Sequence, residues 1–345
     1  MMSDDAGYIQ FMDFLRRRGE GIVSSLYIPK ESGCRSLLTK PFNELYTTYI
    51  ADRGPPGTLI AACDSSQFIR ELYNGKTIFI IRALTEVGDR TYSSFISEIT
   101  HVDKDSLRNF SILIMEHSEH LSMLRMLENE SPDFLLVDGS LIGRLSHRSG
   151  IIEAEGYENF MTEYFDVLVK LLVAACEKEV KLIFIAKTSE STSFRERLAE
   201  MTGTQSMNEF CPGITDHLIV KSLAEYPGFT YPTDTRIKLG PQWIRDGYVV
   251  KTFHVLPDMR DVPMKVDVLE KEDRKDNEII PHDVLSLIYG GYLGLKVHNI
   301  WLTKVDKRVR ISRQEAENVF MRIFEDMTGI NMAETRGERR ARIRI

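Results

Sequence analysis

The sequence predicts an α/β fold, a mixed sheet with an antiparallel meander on one side and flanking helices. Three observations predict it. Leu59–Cys63, Phe134–Val137 and Leu182–Ala186 are short, unbroken apolar runs, the pattern of strands covered on both faces. Asn74-Gly75 separates Phe68–Tyr73 from Lys76–Leu84, and Asn-Gly is the strongest short-range hairpin signal. Amphipathic helical segments lie between the apolar runs, the alternation of an α/β sheet.

Taken in order, residues 8–50 read as helical, with Ile9, Phe11, Met12, Phe14 and Leu15 on one helix and Phe42, Leu45, Tyr46 and Tyr49 on another. Gly54-Pro55-Pro56-Gly57 breaks the chain. The first buried strand follows and ends at Asp64-Ser65-Ser66. The hairpin comes next, and Thr91–Thr100 extends the meander. Residues 105–130 form a helix stopped by Pro132. The second buried strand ends at Asp138-Gly139-Ser140. Residues 157–179 are an amphipathic helix through Phe160, Tyr164, Leu168 and Leu172. The third buried strand ends at Lys187-Thr188-Ser189.

Beyond it, residues 200–245 read as irregular. Tyr248–Val255 and Met264–Leu269 read as strands around a Pro257 loop, and Glu270–Asn277 as a solvated charged run. Residues 282–300 look helical despite Gly290, Gly291 and Gly294. Ser312-x-x-Glu315 is a capping box for a last helix that Gly329 can close. The tail carries five arginines, at 336, 339, 340, 342 and 344.

The chain has 345 residues, 43% of them hydrophobic and 28% charged. That composition excludes a disordered or low-complexity protein. No apolar run approaches the ~20 residues needed to cross a bilayer, and the N-terminus lacks the apolar region of a secretory signal. A soluble, cytoplasmic protein is expected, with no membrane partner. Cys34, Cys63, Cys176 and Cys211 show no C-x-x-C spacing, which argues against a disulfide scaffold or zinc finger. Cys63 and Cys176 read as reduced core residues. The net charge of −7 argues against broad coating of nucleic acid but not against a local basic channel. The absence of a P-loop excludes that route to ATP hydrolysis.

The chemistry collects at strand ends. In α/β sheets, sites form beyond the carboxyl ends of strands, and Asp64 and Asp138 each end one. Two carboxylates at one edge repel unless a cation lies between them, and oxygen ligands suit Mg²⁺ or Mn²⁺. Glu116 and Glu119, on the intervening helix, can add a third acid. Two such ions, roughly 3.5–4 Å apart, activate water and stabilise a leaving oxygen in phosphodiester cleavage. Each piece alone also serves plain structure, since Asp and Ser cap helices and fill turns.

The Cys63-Asp64-Ser65-Ser66 strand end, Met115-Glu116, the FLLVDGSL stretch Phe134–Leu141 and Ile185-Ala186-Lys187-Thr188-Ser189 resemble the NurA nucleases. The resemblance spans roughly residues 55–330. It implies an RNase H-like mixed sheet with an antiparallel meander, flanking helices and insertions. It divides the chain into an N-terminal helical segment, 1–54, and a nuclease domain, 55–345, with an irregular insertion around 200–280. It implies Mn²⁺-dependent DNA cleavage (Mg²⁺ being the alternative ion), as a 5′-to-3′ exonuclease and single-strand endonuclease. It further implies a homodimer docked on the hexameric HerA translocase in DNA end resection.

The resemblance also assigns site residues. Asp64 and Asp138 match metal-binding aspartates, Glu116 or Glu119 the helical glutamate, and His298 a late histidine that can ligate metal or move a proton. The family's Tyr-Pro is missing from Tyr289-Gly-Gly-Tyr292, so Tyr289, the favoured choice, and Tyr292 both stand as the site tyrosine. Lys187 can meet a DNA phosphate as a point charge, and Tyr292 can stack a base. Two other readings remain: a non-catalytic RNase H-like scaffold that guides DNA for the translocase, and a two-metal nuclease directed at RNA.

Overall fold

The computed structural model describes residues 5–49, 57–147, 152–203, 211–237, 248–271 and 280–330. Gly54-Pro55-Pro56, most of the charged run after Lys271 and the arginine-rich tail lie outside the described residues. Helices α1 (Asp5–Leu26) and α2 (Gly33–Leu45) lead into β1 (Tyr46–Thr47). The meander is β2 (Ile60–Glu71), β3 (Thr77–Val87) and β4 (Arg90–Thr100), followed by α3 (Lys104–Asn129). Then come β5 (Phe134–Asp138), the short α4 (Leu141–Leu145), α5 (Phe160–Glu177) and β6 (Lys181–Ala186). Two helices, α6 (Ser193–Thr202) and α7 (Asp216–Leu223), precede β7 (Gly228–Thr230), β8 (Thr233–Arg236), β9 (Tyr248–Leu256) and β10 (Met264–Lys271). Last are α8 (His282–Gly291), α9 (Ile300–Val309) and α10, which begins at Arg313–Glu315, passes through a π-helical stretch, Ala316–Met321, and ends as Arg322–Thr328.

These strands form one sheet in the order β1-β7-β9-β10-β6-β5-β2-β3-β4, with β8 paired beside β9. The three central strands β2, β5 and β6 are parallel, with Cys63 beside Val137 and Val137 beside Phe184. β3 and β4 run antiparallel to their neighbours. This is the mixed sheet, with an antiparallel meander and flanking helices, that the resemblance implies. The hairpin turns where Asn74-Gly75 predicts it: Gly75 takes φ +80°, and the Asn74 side chain accepts from the Lys76 N–H at 3.1 Å.

Strand alternation sends side chains to two faces. One face buries Cys63, Leu135, Val137 and Phe184 under α3 and α5, through Phe110, Leu113, Tyr164 and Leu168. The other buries Ala62, Leu136, Ile183, Ile185 and Val266 under α8 and α9, through Leu287, Ile288, Leu302 and Val305. Both faces being covered explains why these strands read as continuous apolar runs. A third cluster joins Phe42 of α2 to Phe194, Leu198 and Ile219 of α6 and α7. No described helix is long and apolar enough to cross a membrane.

The structure corrects five expectations. α2 ends at Leu45, so Tyr46 lies in β1 and Tyr49 beyond it rather than on the helix. β2 does not stop at Asp64-Ser65-Ser66 but runs to Glu71, because β3 stays paired with it along that whole length. Residues 200–245 are not irregular where described: they hold the end of α6, all of α7, β7 and β8, elements too short to show periodicity. The predicted 282–300 helix ends at Gly291, and a separate α9 begins after Asn299, whose side chain caps it by accepting from the Leu302 N–H at 3.1 Å. A Cβ at Gly291 would lie 2.6 Å from the Trp301 ring, so glycine is needed for α9 to fold back there. Finally, Cys34 and Cys211 form a disulfide across 177 residues, with Cα atoms 5.6 Å apart. Cys63 and Cys176 are free, the first buried and the second half-buried.

The Ser312 half of the capping box forms, its Oγ accepting from the Glu315 N–H at 3.0 Å, while the Glu315 carboxylate accepts from Arg82 Nη1 at 2.9 Å; Gly329 closes the helix at φ +68°.

Candidate active site

Asp64 and Asp138 come together through register. Cys63 and Val137 are the last paired residues of the parallel β2–β5 ladder, and each is followed by its aspartate. Beyond them β5 parts from β2, Asp138 pairing with Ile185 of β6, while β2 continues along β3. Asp64 therefore sits where β2 loses one neighbour, at the carboxyl edge of the parallel strands. Alternation puts Asp64, Asp138 and Lys187 on the face of Ala62, Leu136 and Ile185. Lys187 Nζ lies 3.0 Å from Asp138 Oδ2, with both side chains half-exposed.

Burial pushes the Asp64 carboxyl up to about 7, and the negative charges of Glu119 and Asp138 push in the same direction. A hydrogen bond from the Ser65 N–H to Asp64 Oδ1, at 2.7 Å, offsets part of the rise.

The third acid reaches the edge from the opposite face. Ser65 points to the α3 side and donates its hydroxyl to Glu119 Oε1 at 2.5 Å. The other oxygen, Oε2, pairs with Arg144. Burial raises the Glu119 carboxyl above its usual range, against the pull of Arg144. Glu116, nearly one turn earlier, faces elsewhere: it accepts from Tyr164 at 2.5 Å and from His147 Nε2 at 2.9 Å. Burial opposes its charge, but His147, Arg144 and Tyr164 together lower its carboxyl. Of the two glutamates, the structure brings Glu119 to β2 and ties Glu116 to α5 and His147.

His298 and Tyr292 meet at one acid. Tyr292 donates to Asp261 Oδ2 at 2.9 Å, and His298 Nδ1 lies 3.3 Å from the same oxygen. Asp261 is buried in the loop before β10, whose Lys265 pairs with Ala186 at the end of β6. Burial, then the bond to Asp261, pushes the Tyr292 phenol up to about 12. Tyr289 is placed differently. Its ring centroid lies 4.8 Å from that of Tyr49, and its buried hydroxyl has no hydrogen-bond partner among the described residues. The tyrosine beside His298 is Tyr292.

A second buried network holds the turn after Asp138. Ser140 donates to Asp267 Oδ2 at 2.7 Å, and the Ile142 N–H donates to the same oxygen at 3.2 Å. Lys265 Nζ donates to Ser140 Oγ at 2.9 Å, and Thr252 donates to Asp267 Oδ1 at 2.8 Å. Lys265 and Asp267 are both buried on β10. Sequence reading gave no site role to Ser65, Arg144, Asp261, Lys265 or Asp267. The available signal was two charges, Lys265 and Asp267, alternating inside an otherwise apolar strand.

The donors at this edge are hard carboxylate oxygens, and the Asp64 carboxyl is raised first by burial and then by its acidic neighbours. Both suit a hard divalent cation. Among the described residues, no three His, Cys, Asp or Glu side chains converge closely enough to hold one. Glu119 and Asp138 are instead held by Arg144 and Lys187.

The fold is similar to that of the NurA nuclease from Sulfolobus solfataricus, at 17% identity and a TM-score of 0.66, over 96% of this chain and 99% of that one. It is also similar to a NurA solved with manganese (12% identity, TM-score 0.57, covering 93% of this chain and 99% of that one). A NurA bound to dAMP and manganese superposes at 14% identity and a TM-score of 0.52, over 92% of this chain and 96% of that one. Comparison with curated proteins returns no match. The NurA domain family model matches residues 58–311, and on that match the chain belongs to the NurA family.

Proposed function

We propose that the chain is a divalent-metal-dependent deoxyribonuclease that hydrolyses phosphodiester bonds. The observation that carries this reading is the β2–β5 register that sets Asp64 beside Asp138, with Asp64 pushed up to about 7 by burial and by its acidic neighbours. Asp64, Asp138 and Glu119 would hold the ion only after their side chains close on it, since they do not converge on one point in this structure, with His298 as a further ligand or proton carrier. Mn²⁺ is the ion proposed, since it is the one named for two similar NurA structures; Mg²⁺ is the alternative. Bound there, the ion would activate water and stabilise the leaving oxygen. Lys187 supplies a positive charge for a phosphate beside Asp138. Asp261 Oδ2 accepts from the Tyr292 hydroxyl, and His298 Nδ1 lies 3.3 Å from the same oxygen without a hydrogen bond; this proximity supports a shared role in placing substrate or moving a proton.

Family membership supports the finer parts of the proposal: 5′-to-3′ exonuclease and single-strand endonuclease activity, homodimerisation, and action with a HerA-type translocase in DNA end resection. The apolar residues exposed along α1, with Tyr8 at 70% and Phe11 at 59% exposure, support a protein partner or a second copy.

One observation favours the scaffold reading: Glu119 and Asp138 are each engaged by an internal cation. End-labelled single- and double-stranded DNA, incubated with Mn²⁺, Mg²⁺ or EDTA beside Asp138→Ala, tests both readings. Metal-dependent products that vanish in the variant are expected. A folded protein that gives no products with either ion, alone or with the translocase, supports the scaffold.

A further inference from the structure

Arg144 lies in α4, the short helix that leaves the turn after Asp138. Ser140 caps that helix, accepting from the Gly143 N–H at 3.0 Å. The cap directs Arg144 inward, towards α3, and its side chain is only 3% exposed. A buried guanidinium is tolerated only where its charge and donors are met. Here the charge and both terminal nitrogens are met by the site's own framework, while Nε has no hydrogen-bond partner among the described residues. Nη2 donates to Glu119 Oε2 and also to the backbone carbonyl of Asp138, the latter at 3.1 Å. Nη1 donates to Nε2 of His120 at 2.9 Å. Nε lies 3.8 Å from Glu116 Oε1, and the guanidinium carbon is 5.1 Å from the centre of the Phe184 ring.

We propose that Arg144 is a positioning residue that sets Glu119 relative to Asp138, by bonding the carboxylate of one and the backbone of the other through a single nitrogen. The inference rests on the proposed metal site. The two acids come from elements that share no backbone ladder: α3 lies on one face of the sheet, and β5 is a strand within it. Arg144 bridges them directly. Its planar fork can serve several partners at once, which an ammonium cannot do. Glu119 Oε1 is held in turn by Ser65, so each of its oxygens is fixed by one residue, while each retains a second lone pair for a cation.

The electrostatic and positional effects of Arg144 on cation binding have opposite signs. A positive charge beside Glu119 repels a divalent ion, so removing it would tighten binding if charge were all that mattered. Misplacing a ligand weakens binding, typically 10–100-fold when a residue supporting a metal ligand is lost. The experiment is Mn²⁺ titration followed by electron paramagnetic resonance on wild-type, Arg144→Lys and Arg144→Met protein, with circular dichroism to verify folding. Arg144→Lys keeps the charge and serves where Arg144→Met does not fold. Mn²⁺ affinity at least 10-fold weaker in a folded variant is expected, with single-stranded DNA affinity in EDTA unchanged. Unchanged or tighter Mn²⁺ binding would overturn the proposal. Failure of both variants to fold would assign Arg144 to the fold alone and overturn it equally. Absence of Mn²⁺ binding by the wild-type protein would overturn the metal-site reading itself.

Discussion

Lys187 Nζ and Asp138 Oδ2 stand 3.0 Å apart at the ends of adjacent parallel strands. The lysine occupies a lone pair that a cation at Asp138 would use. Half-exposed pairs of this kind contribute about 0–1 kcal/mol. Lys187→Met is therefore expected to tighten Mn²⁺ binding by no more than about fivefold. If Lys187 meets a phosphate, the same change lowers the slope of DNA affinity against salt by about one counterion. Calorimetric Mn²⁺ titration and salt-dependent DNA binding in EDTA read the two effects separately.

The raised Asp64 carboxyl makes stability depend on pH in metal-free buffer. An unfolded aspartate releases its proton near 3.9, whereas folded Asp64 keeps it to about 7. Between those values the folded state binds more protons, so this group's contribution to stability falls as pH rises. Asp64→Asn removes the titration. In EDTA its melting temperature should exceed that of the wild type at pH 8, with the gap closing towards pH 4. Added Mn²⁺ should stabilise the wild type and not the variant.

Asp267→Ala would leave Lys265 buried without its acid and free the Ser140 hydroxyl and Ile142 N–H. Breaking a buried pair from one side costs about 3–5 kcal/mol. Urea unfolding should report a loss of that size. In buffer where the variant is still folded, cleavage should fall as well, because the turn after Asp138 has lost its anchor.

The Cys34–Cys211 disulfide closes a loop of 177 residues and joins α2 to the segment between α6 and α7. Linking such distant residues typically contributes about 2–4 kcal/mol. Cys34→Ser should lower the melting temperature, and reductant should lower that of the wild type while leaving the variant unchanged.

The parts of the site legible in the sequence were those that chain order alone positions. Asp64 and Asp138 follow apolar runs, and strand direction carries both to one edge. The resemblance added His298 and offered Tyr292 as the second tyrosine. Arg144 was not legible, because a buried arginine has meaning only through what approaches it, here α3 from the opposite side of the turn. Asp261 was hidden in an irregular loop for the same reason. The continuation of β2 past Asp64 was misread because Asp64-Ser65-Ser66-Gln67 has the composition of a turn; the ladder to β3 overrides that local preference. α9 was merged with α8 because the break between them depends on Gly291 meeting Trp301, a contact with no local signature.

The unbroken course of β2 through Asp64 bears on how the protein opens. Active sites borne on loops exchange their amide protons through small, local fluctuations while the sheet beneath stays closed. Asp64 is carried instead on backbone paired with β3 from Ala61 to Glu71. The amides of β2 that face β3 open only when the hairpin separates, and the hairpin lies against α3 and α9 on its two faces. The Asp64 carboxylate and the hairpin thus belong to one cooperative unit.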